Sequence, residues 1–459
     1  MTYEEALAYI YGLLAGRPRT PQPYTPVKLA RMQALCTLLG HPERTFPAVL
    51  VAGTKGKGST AAMIASMLQA AGYRVGLYTK PHLVDFRERI RVGGDLITPA
   101  ELAQLMSEVP AAIAHGAGAP GWPPTYFEVA AALAFLQFAR RHVDLAVVEV
   151  GIGGRLDATN VVNPLVSVIT TIDYDHTDLL GRNLRKIAAE DAGIIRPQGR
   201  VVTVPQPPAA LEVLEQAASA RRAALVRVGQ QIRYRTLRST PAGVRFTVVG
   251  ERQRYRDLAV PLIGRHQATN GAAAIGAVEL LAQAGYDVPE VAIRSGLANL
   301  RWPARIEIVR RHPTVVVDVA HNPVSFRALR ATLDETFSQQ RVLLVIGLLG
   351  SKDLAGIARI IGPRAGIVVA TRAHDPRTLP AAAVAEAFRA CVPEVYVVDD
   401  PVDAVELALR EAGLDDLICV AGSFHVAGPV RAHLLGGLPP AARRPRRLPS
   451  RAARAQPAA

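Results

Sequence analysis

Residues Val51 to Thr60 read VAGTKGKGST: three glycines and two lysines set between an apolar run, Phe46 to Ala52, and a segment of helical period, Ser59 to Ala71. No other stretch constrains the chain as much, because a buried strand that opens through a glycine turn into a helix belongs to helices laid on a largely parallel sheet. Such a turn offers backbone N–H groups and the positive end of a helix dipole to an anion. Lys57 adds a point charge, and Ser59 or Thr60 brings a hydroxyl that can reach a metal ion. The loop nonetheless departs from the standard phosphate-loop pattern in either register. With Gly56-Lys57 as the pair, the leading glycine is replaced by Val51 and the hydroxyl by Gly58; with Gly58-Ser59 aligned, the lysine is missing. A tight turn that binds nothing is the competing reading, and two lysines beside three glycines weigh against it.

Further short apolar runs end in chemistry-bearing residues. Leu145 to Val150 carries Glu149 into Gly151-Ile-Gly-Gly154, and Leu165 to Ile172 runs into Asp173-Tyr-Asp-His176. In parallel sheets the carboxyl ends of strands gather ligands, so a carboxylate, an imidazole and the loop hydroxyl converging there suit a divalent cation. Each alone is as well explained by a salt bridge or a structural histidine. The segment from Val226 to Val260 alternates and is β-branched, which predicts a small antiparallel patch, and Gln267 to Ala284 reads as an alanine-rich helix. Around Asn299-Leu-Arg-Trp-Pro303 the pattern restarts with strands near 314–319, 341–346, 366–370, 394–398 and 417–421. There Asp318-Val-Ala-His-Asn-Pro323 again opens a strand into a helix, suiting ribose or phosphate contacts, with a well-capped helix as the competing reading. Two such sites on two domains suggest a ligand held at their interface.

Composition excludes several classes. A hydrophobic share of 49% with 20% charged residues is that of a globular chain, and 5% aromatics argue against a stacking surface for single-stranded nucleic acid. The net charge of +14 includes six arginines in Gly437–Ala459, a segment without acids; removing them leaves +8, and the Pro/Ala/Arg tail itself reads as solvated and disordered. Three distant cysteines fit reduced thiols rather than a disulfide framework or a metal cluster. The N-terminus lacks the features of a secretory signal and no run of about 18 apolar residues occurs, so a cytoplasmic protein without a membrane span is expected.

Taken together, "VAGTKGKGST", "TYFEVAAALAF", "VVEVGIGGRLDATNVV", "TTIDYDHTDLLG", "GRHQATN", "RWPARIE", "VVVDVAHNP" and "VAGSFHVAG", in this order over residues 51 to about 428, resemble the folylpolyglutamate synthase/dihydrofolate synthase family within the Mur ligase superfamily. That family's phosphate loop has the form G-T-x-G-K-G-S, which accounts for the failure against the standard pattern. The resemblance implies an α/β fold: a P-loop-containing N-terminal domain on a mainly parallel sheet over 1–298, a smaller Rossmann-like glutamate ligase domain over 299–436, and the tail. It implies ATP and Mg²⁺ as cofactors and small-molecule substrates, L-glutamate with dihydropteroate or a reduced folate. It further implies a monomer, with no specific nucleic acid and no membrane as partner. Carried onto this sequence, Gly53, Thr54, Gly56, Lys57, Gly58, Ser59 and Thr60 would cradle ATP phosphates; Asn270, Arg305, Asp318 and His321 would complete nucleotide contacts. Ser59, Glu149 and His176 would hold magnesium, with Lys57, Glu149 and His176 as the catalytic set. Pro81, His82 and Asp157 fall on pterin-side segments, and Ser423 on a glutamate-side one.

Two positions depart. The family commonly shows Thr-Ser-Pro-His-Leu with the serine on magnesium, where this chain has Thr79-Lys80-Pro81-His82-Leu83; it commonly shows Glu-Lys-Ala-Gly-Ile with that lysine carbamylated toward a second ion, where this chain has Glu190-Asp191-Ala192-Gly193-Ile194. An ammonium cannot ligate a metal. One expectation is that Lys80 partly replaces metal charge while Asp191 pairs with it or holds one remaining Mg²⁺; the other is tolerated drift beside an intact site. A P-loop kinase or nucleotide switch would use the loop but leaves the second domain unexplained, and a homologue that binds nucleotide or pterin without catalysis stays open through these departures.

Overall fold

Ala48–Ala52 (β1) is buried on both faces, as a central parallel strand must be, and it ends where the glycine loop begins. A computed structural model describes residues 1–15, 25, 27–118, 122–373 and 375–437; the arginine-rich tail from 438 onward lies outside the described residues. Around β1 stand Val75–Tyr78 (β2), Ile90–Val92 (β3), Asp95–Leu96 (β4), Leu145–Glu149 (β5), Pro164–Ile169 (β6), Arg200–Thr203 (β7) and Ala224–Arg227 (β8). They form one eight-stranded sheet in the order 4-3-2-5-1-6-7-8. All pairs are parallel except β2–β3 and β3–β4 at one edge. The order places β1 between β5 and β6, with Val51 opposite Glu149 and Ala52 opposite Ile169, so three chemistry-bearing loops leave adjacent strands at one edge.

The helix after the loop runs from Lys57 to Ala70, two residues earlier than the apolar spacing predicts, and ten of its residues from Gly58 to Leu68 are buried. Its small side chains Ala61, Ala62 and Ala65 permit close packing on the sheet. Three further strands, Arg233–Thr240 (β9), Gly243–Val249 (β10) and Arg254–Val260 (β11), form a separate sheet in the order 11-10-9. The antiparallel patch expected over Val226 to Val260 therefore begins at Arg233, whereas Val226 and Arg227 end the strand Ala224–Arg227, which joins the parallel sheet by pairing with β7.

The chain divides into two compact units: Met1–Leu237 with Arg245–Pro261 and Gln267–Leu300, and Arg238–Val244 with Leu262–His266 and the chain from Arg301 onward. The second carries a six-stranded sheet of Glu307–Arg311 (β12), Thr314–Val317 (β13), Val342–Ile346 (β14), Ala365–Ala370 (β15), Glu394–Val397 (β16) and Leu417–Ala421 (β17), in the order 12-13-17-14-15-16. Only β12 is antiparallel; β14 and β17 are buried along their whole length. The architecture is α/β throughout, with mainly parallel sheets. Among the described residues no helix is long and apolar enough to cross a membrane.

Candidate active site

The loop after β1 is a left-handed turn that only glycine can make. Gly53 has φ +119° and Gly56 φ +91°, and a Cβ at Gly53 would lie 2.4 Å from Thr170 Oγ1, one at Gly56 2.5 Å from Asn270 Oδ1. The Thr54 and Lys55 N–H groups donate to the Thr171 carbonyl at 2.7 and 3.1 Å. Thr54 Oγ1 donates to Asp173 O at 2.9 Å and accepts from Asp173 N–H at 3.0 Å. The segment after β6 thus clamps the loop from beside. Lys57 folds back, its ammonium 2.6 Å from Gly53 O and 3.4 Å from Thr54 O, so the point charge already stands over the turn. Lys55 instead pairs with Asp175 at 3.2 Å, a partner not anticipated from sequence.

Below the loop lies Asp191. It is fully buried, and its Oδ1 accepts the Gly53 N–H at 3.2 Å. Burial pushes its carboxyl up to about 7, against the pull of Lys57 and the Gly53 N–H. Lys80 does not pair with it. The Lys80 ammonium lies 3.5 Å from Asp157 Oδ1 and its backbone N–H donates to Glu149 Oε2 at 3.0 Å, which corrects the expected Lys80–Asp191 pairing. Asp157 also accepts from Gly151 N–H (3.1 Å), Ile152 N–H (3.3 Å), Thr159 N–H (3.0 Å) and Thr159 Oγ1 (2.6 Å). Burial opposes its charge, but Lys80 and these donors outweigh it and hold the carboxyl below the usual range. His176 stands at φ +48°, an uncommon conformation for a residue with a side chain, capping the short helix Thr177–Leu180. His82 Nδ1 accepts from Arg89 Nε at 2.8 Å, so this ring nitrogen carries no proton.

These residues fit a hard divalent cation. Glu149 and Ser59 are buried at the same strand edge as the loop, and Thr60 Oγ1 is buried with no hydrogen-bond partner. No three His, Cys, Asp or Glu side chains group into a metal cage among the described residues. Magnesium keeps water and substrate phosphates in its shell and takes only one or two carboxylates from protein, so the chemistry of a buried carboxylate with buried hydroxyls fits it.

The second unit assembles its own edge. Asp318, just beyond β13, accepts the Ile306 N–H (2.9 Å) on one oxygen and the Ala320 N–H (2.7 Å) on the other. Ala304 and Ile306, at φ +54° and +53°, flank Arg305; for a β-branched residue this is a strained conformation. Glu307 Oε2 receives the Ala304 N–H at 2.8 Å and is itself held by Arg431. Arg305 is thereby presented between the rings of Trp302 (5.7 Å) and Phe424 (5.4 Å). His321 Nδ1 donates to Val319 O at 2.8 Å, and Asn322 caps the helix Pro323–Thr336 through Ser325. Ser423 caps Phe424–Leu434, after Gly422 at φ +113°, where a Cβ would meet Gly347 O at 2.3 Å. Within the first unit the structure gathers the loop, Glu149, Asp191 and Asn270; Arg305, Asp318, His321 and Ser423 belong to the second.

Residues 51–278 match the Mur ligase middle domain, and residues 304–424 match the Mur ligase glutamate ligase domain. The dihydrofolate synthase/folylpolyglutamate synthase of Bacillus subtilis is 34% identical over 94% of this chain and 99% of its own length. The chain belongs to the dihydrofolate synthase/folylpolyglutamate synthase family of Mur ligases. Solved members share the fold: the folylpolyglutamate synthase of Mycobacterium tuberculosis complexed with ADP has a TM-score of 0.85 at 35% identity, covering 95% of this chain and all of that one. The Escherichia coli member in complex with DHPP and ADP has a TM-score of 0.82 at 31% identity, covering 95% and 98%. Within this synthase family the middle-domain match takes in the loop, Lys80, Glu149, Asp157, His176, Asp191 and Asn270. The glutamate ligase match takes in Arg305, Asp318, His321 and Ser423.

Proposed function

We propose that the chain is an ATP-dependent ligase that joins L-glutamate to the carboxylate of dihydropteroate, of a folate, or of both. The observation that carries this reading is the phosphate loop, with its two left-handed glycines and Lys57 folded over them, in a chain similar along nearly its whole length to synthases of this activity. The ADP and DHPP complexes of the relatives support nucleotide and pterin as the ligand classes.

In the proposed reaction a substrate carboxylate oxygen attacks the γ-phosphorus, the bond to the β-phosphate oxygen breaks, and ADP leaves. The glutamate amine nitrogen, freed of one proton by solvent or base, then attacks the acyl carbon; it gives up a second proton as inorganic phosphate departs with the carboxylate oxygen that captured it and the amide forms. Phosphoryl transfer of this kind depends on positioning and on cations around the moving group. The N–H groups of Gly56 to Ser59, which lead into the helix, bind the phosphates, those of Gly53, Thr54 and Lys55 being taken by Asp191 and Thr171 O, and Lys57 exchanges its contacts with Gly53 O and Thr54 O for phosphate oxygens. Ser59, Glu149 and His176 would hold magnesium, which supplies charge neutralisation for the phosphates when bound. Asn270, packed against Gly56, sits on the nucleotide side; Asp157, His82 and Pro81 line the pterin side. Arg305 and His321 serve phosphate, Asp318 holds the loop that presents Arg305, and Ser423 stands at the helix N-terminus assigned to glutamate.

Phosphate release from ATP, measured with dihydropteroate and then with tetrahydrofolate, each with and without L-glutamate, tests the reading. Glutamate-dependent release with either acid supports it and identifies which acid is used. Release in none of the four arms would favour a nucleotide- or pterin-binding homologue without catalysis.

A further inference from the structure

The chain meets almost every need for positive charge with arginine: only six of its 53 basic residues are lysines, Lys28, Lys55, Lys57, Lys80, Lys186 and Lys352. Three of the six, Lys55, Lys57 and Lys80, stand at the carboxyl edge of one sheet, after β1 and β2. Arginine is a broad, planar fork, whereas lysine is a compact point charge, so lysines gathered at this edge suit a place where a small cation is required. Lys57 and Lys55 are accounted for by the loop carbonyls and by Asp175. Lys80 is not used by the reaction as written above.

Its surroundings are those of a bound ion rather than of a surface side chain. The side chain is 9% exposed and that of Asp157 is 11% exposed. The ammonium lies 5.5 Å from the centre of the buried Tyr78 ring. It also fills the space above Gly151, where a Cβ would come within 2.5 Å of Nζ. Through its backbone N–H the same residue holds Glu149, so one lysine touches both carboxylates that leave the β5 strand and its loop. A buried ion pair is no evidence of stability, since desolvating both charges costs about as much as their attraction returns. Its place at this strand edge points to a different use.

We infer that Lys80 is the resident cation of this edge: its ammonium, paired with Asp157 on the loop after β5, supplies the positive charge that a second divalent ion would otherwise bring, and its backbone N–H positions Glu149 at the end of the same strand. The inference rests on the ligase reading only for the location of the ATP phosphates. Its physical content is electrostatic. Phosphates arriving at this strand end add negative charge to that of Glu149 and of Asp157, which holds the loop after it, and removing the ammonium leaves a deficit that a further small cation fills.

Counting ions tests this on the full chain, using Mn²⁺ with the non-hydrolysable analogue AMP-PCP and electron paramagnetic resonance as the readout. The wild-type chain is expected to hold one Mn²⁺ per bound AMP-PCP, and Lys80→Ser and Lys80→Met two. Lys80→Cys alkylated with 2-bromoethylamine restores an ammonium at nearly the same reach and is expected to return the count to one, with the alkylated wild-type chain as the control for the native cysteines. A merely structural lysine would not change the count. Equal counts in the wild-type chain and both neutral variants would overturn the inference while leaving the ligase reading intact, as would two ions in the alkylated Cys variant. Failure of the wild-type chain to bind AMP-PCP at all would overturn both.

Discussion

Each unit holds a left-handed turn on a buried aspartate. Under the phosphate loop Asp191 takes the N–H of Gly53 at φ +119°; in the second unit Asp318 takes the N–H of Ile306 at φ +53°. The first turn is made of glycines, which adopt this conformation without penalty, and it delivers the chain into a helix whose first N–H groups, those of Lys57, Gly58 and Ser59, face an anion. The second is made of Ala304 and Ile306, which do not relax into it, and it is kept in place by Asp318 and Glu307. One loop is shaped by the absence of side chains and offers backbone. The other is forced by side chains and offers one guanidinium, Arg305, between two rings. A phosphate cradle needs many weak donors, whereas a single presented cation needs rigidity.

The largest expected effect comes from the aspartate under the glycine loop. With a folded carboxyl at about 7 against an unfolded value of 3.8, the native state keeps a proton that the unfolded chain has released. Stability contributed by Asp191 is therefore present below about pH 4 and falls as pH rises toward 7, by about 4 kcal/mol in total. Urea unfolding without nucleotide, followed near both pH limits, should show this slope, and Asp191→Asn should flatten it. A slope unchanged by Asn would mean that Asp191 does not carry the proton.

Next comes Gly53→Ala. A methyl 2.4 Å from Thr170 Oγ1 in a left-handed conformation adds overpacking to backbone strain, together about 3 kcal/mol, and AMP-PCP binding should be lost with it. Wild-type affinity in this variant would break the contrast at its first term. In the second unit Asp318→Asn replaces one acceptor by a donor opposite a buried N–H, costing about 2 kcal/mol. With Trp122→Phe as background, Trp302 alone reports on the unfolding of this unit, and an unchanged midpoint would remove Asp318 from its supporting role.

Smallest is Ala304→Gly. Relief of the left-handed strain, about 1–2 kcal/mol, is offset by the flexibility of glycine and the loss of one buried methyl, about 1–2 kcal/mol between them, so the net change should stay within about 0.5 kcal/mol. A glycine exchange that is severe in one loop and nearly silent in the other is the sharpest form of the comparison. A loss of 2 kcal/mol or more in Ala304→Gly would show that the second turn is not strained.

The same contrast explains what could be read from the sequence. The apolar runs ending at Ala52, Glu149 and Ile169 are buried on both faces, so their hydrophobicity is continuous and their strand ends, with the chemistry on them, were legible. Glycine spacing marked the first loop because glycine is the visible trace of a left-handed turn. Nothing in Arg-Trp-Pro-Ala-Arg-Ile marked the second, since its strain is imposed by Asp318, which is twelve residues beyond Ile306, and by Glu307. The β3–β4 hairpin went unread because strands of three and two residues carrying Arg91 and Asp95 present no pattern, and the edge strand Glu307–Arg311 is largely charged. Val226 and Arg227 begin a segment whose alternation reads as antiparallel, yet they end a four-residue strand that pairs in parallel as the last of its sheet, and so short a run shows no direction of pairing. Lys80 was recognisable as a departure, but its partner Asp157, 77 positions away, is fixed only by folding, and so is the approach of Asp191 to Gly53 rather than to Lys80.

Oxygen transfer tests the proposed ligase chemistry most directly. If a substrate carboxylate captures the γ-phosphoryl group at the glycine loop, dihydropteroate or tetrahydrofolate labelled with ¹⁸O in its reacting carboxylate will pass one ¹⁸O to inorganic phosphate in each turnover, read by mass spectrometry of the phosphate. Singly labelled phosphate is expected, in an amount equal to the glutamate joined. Unlabelled phosphate alongside glutamate-dependent product would contradict it.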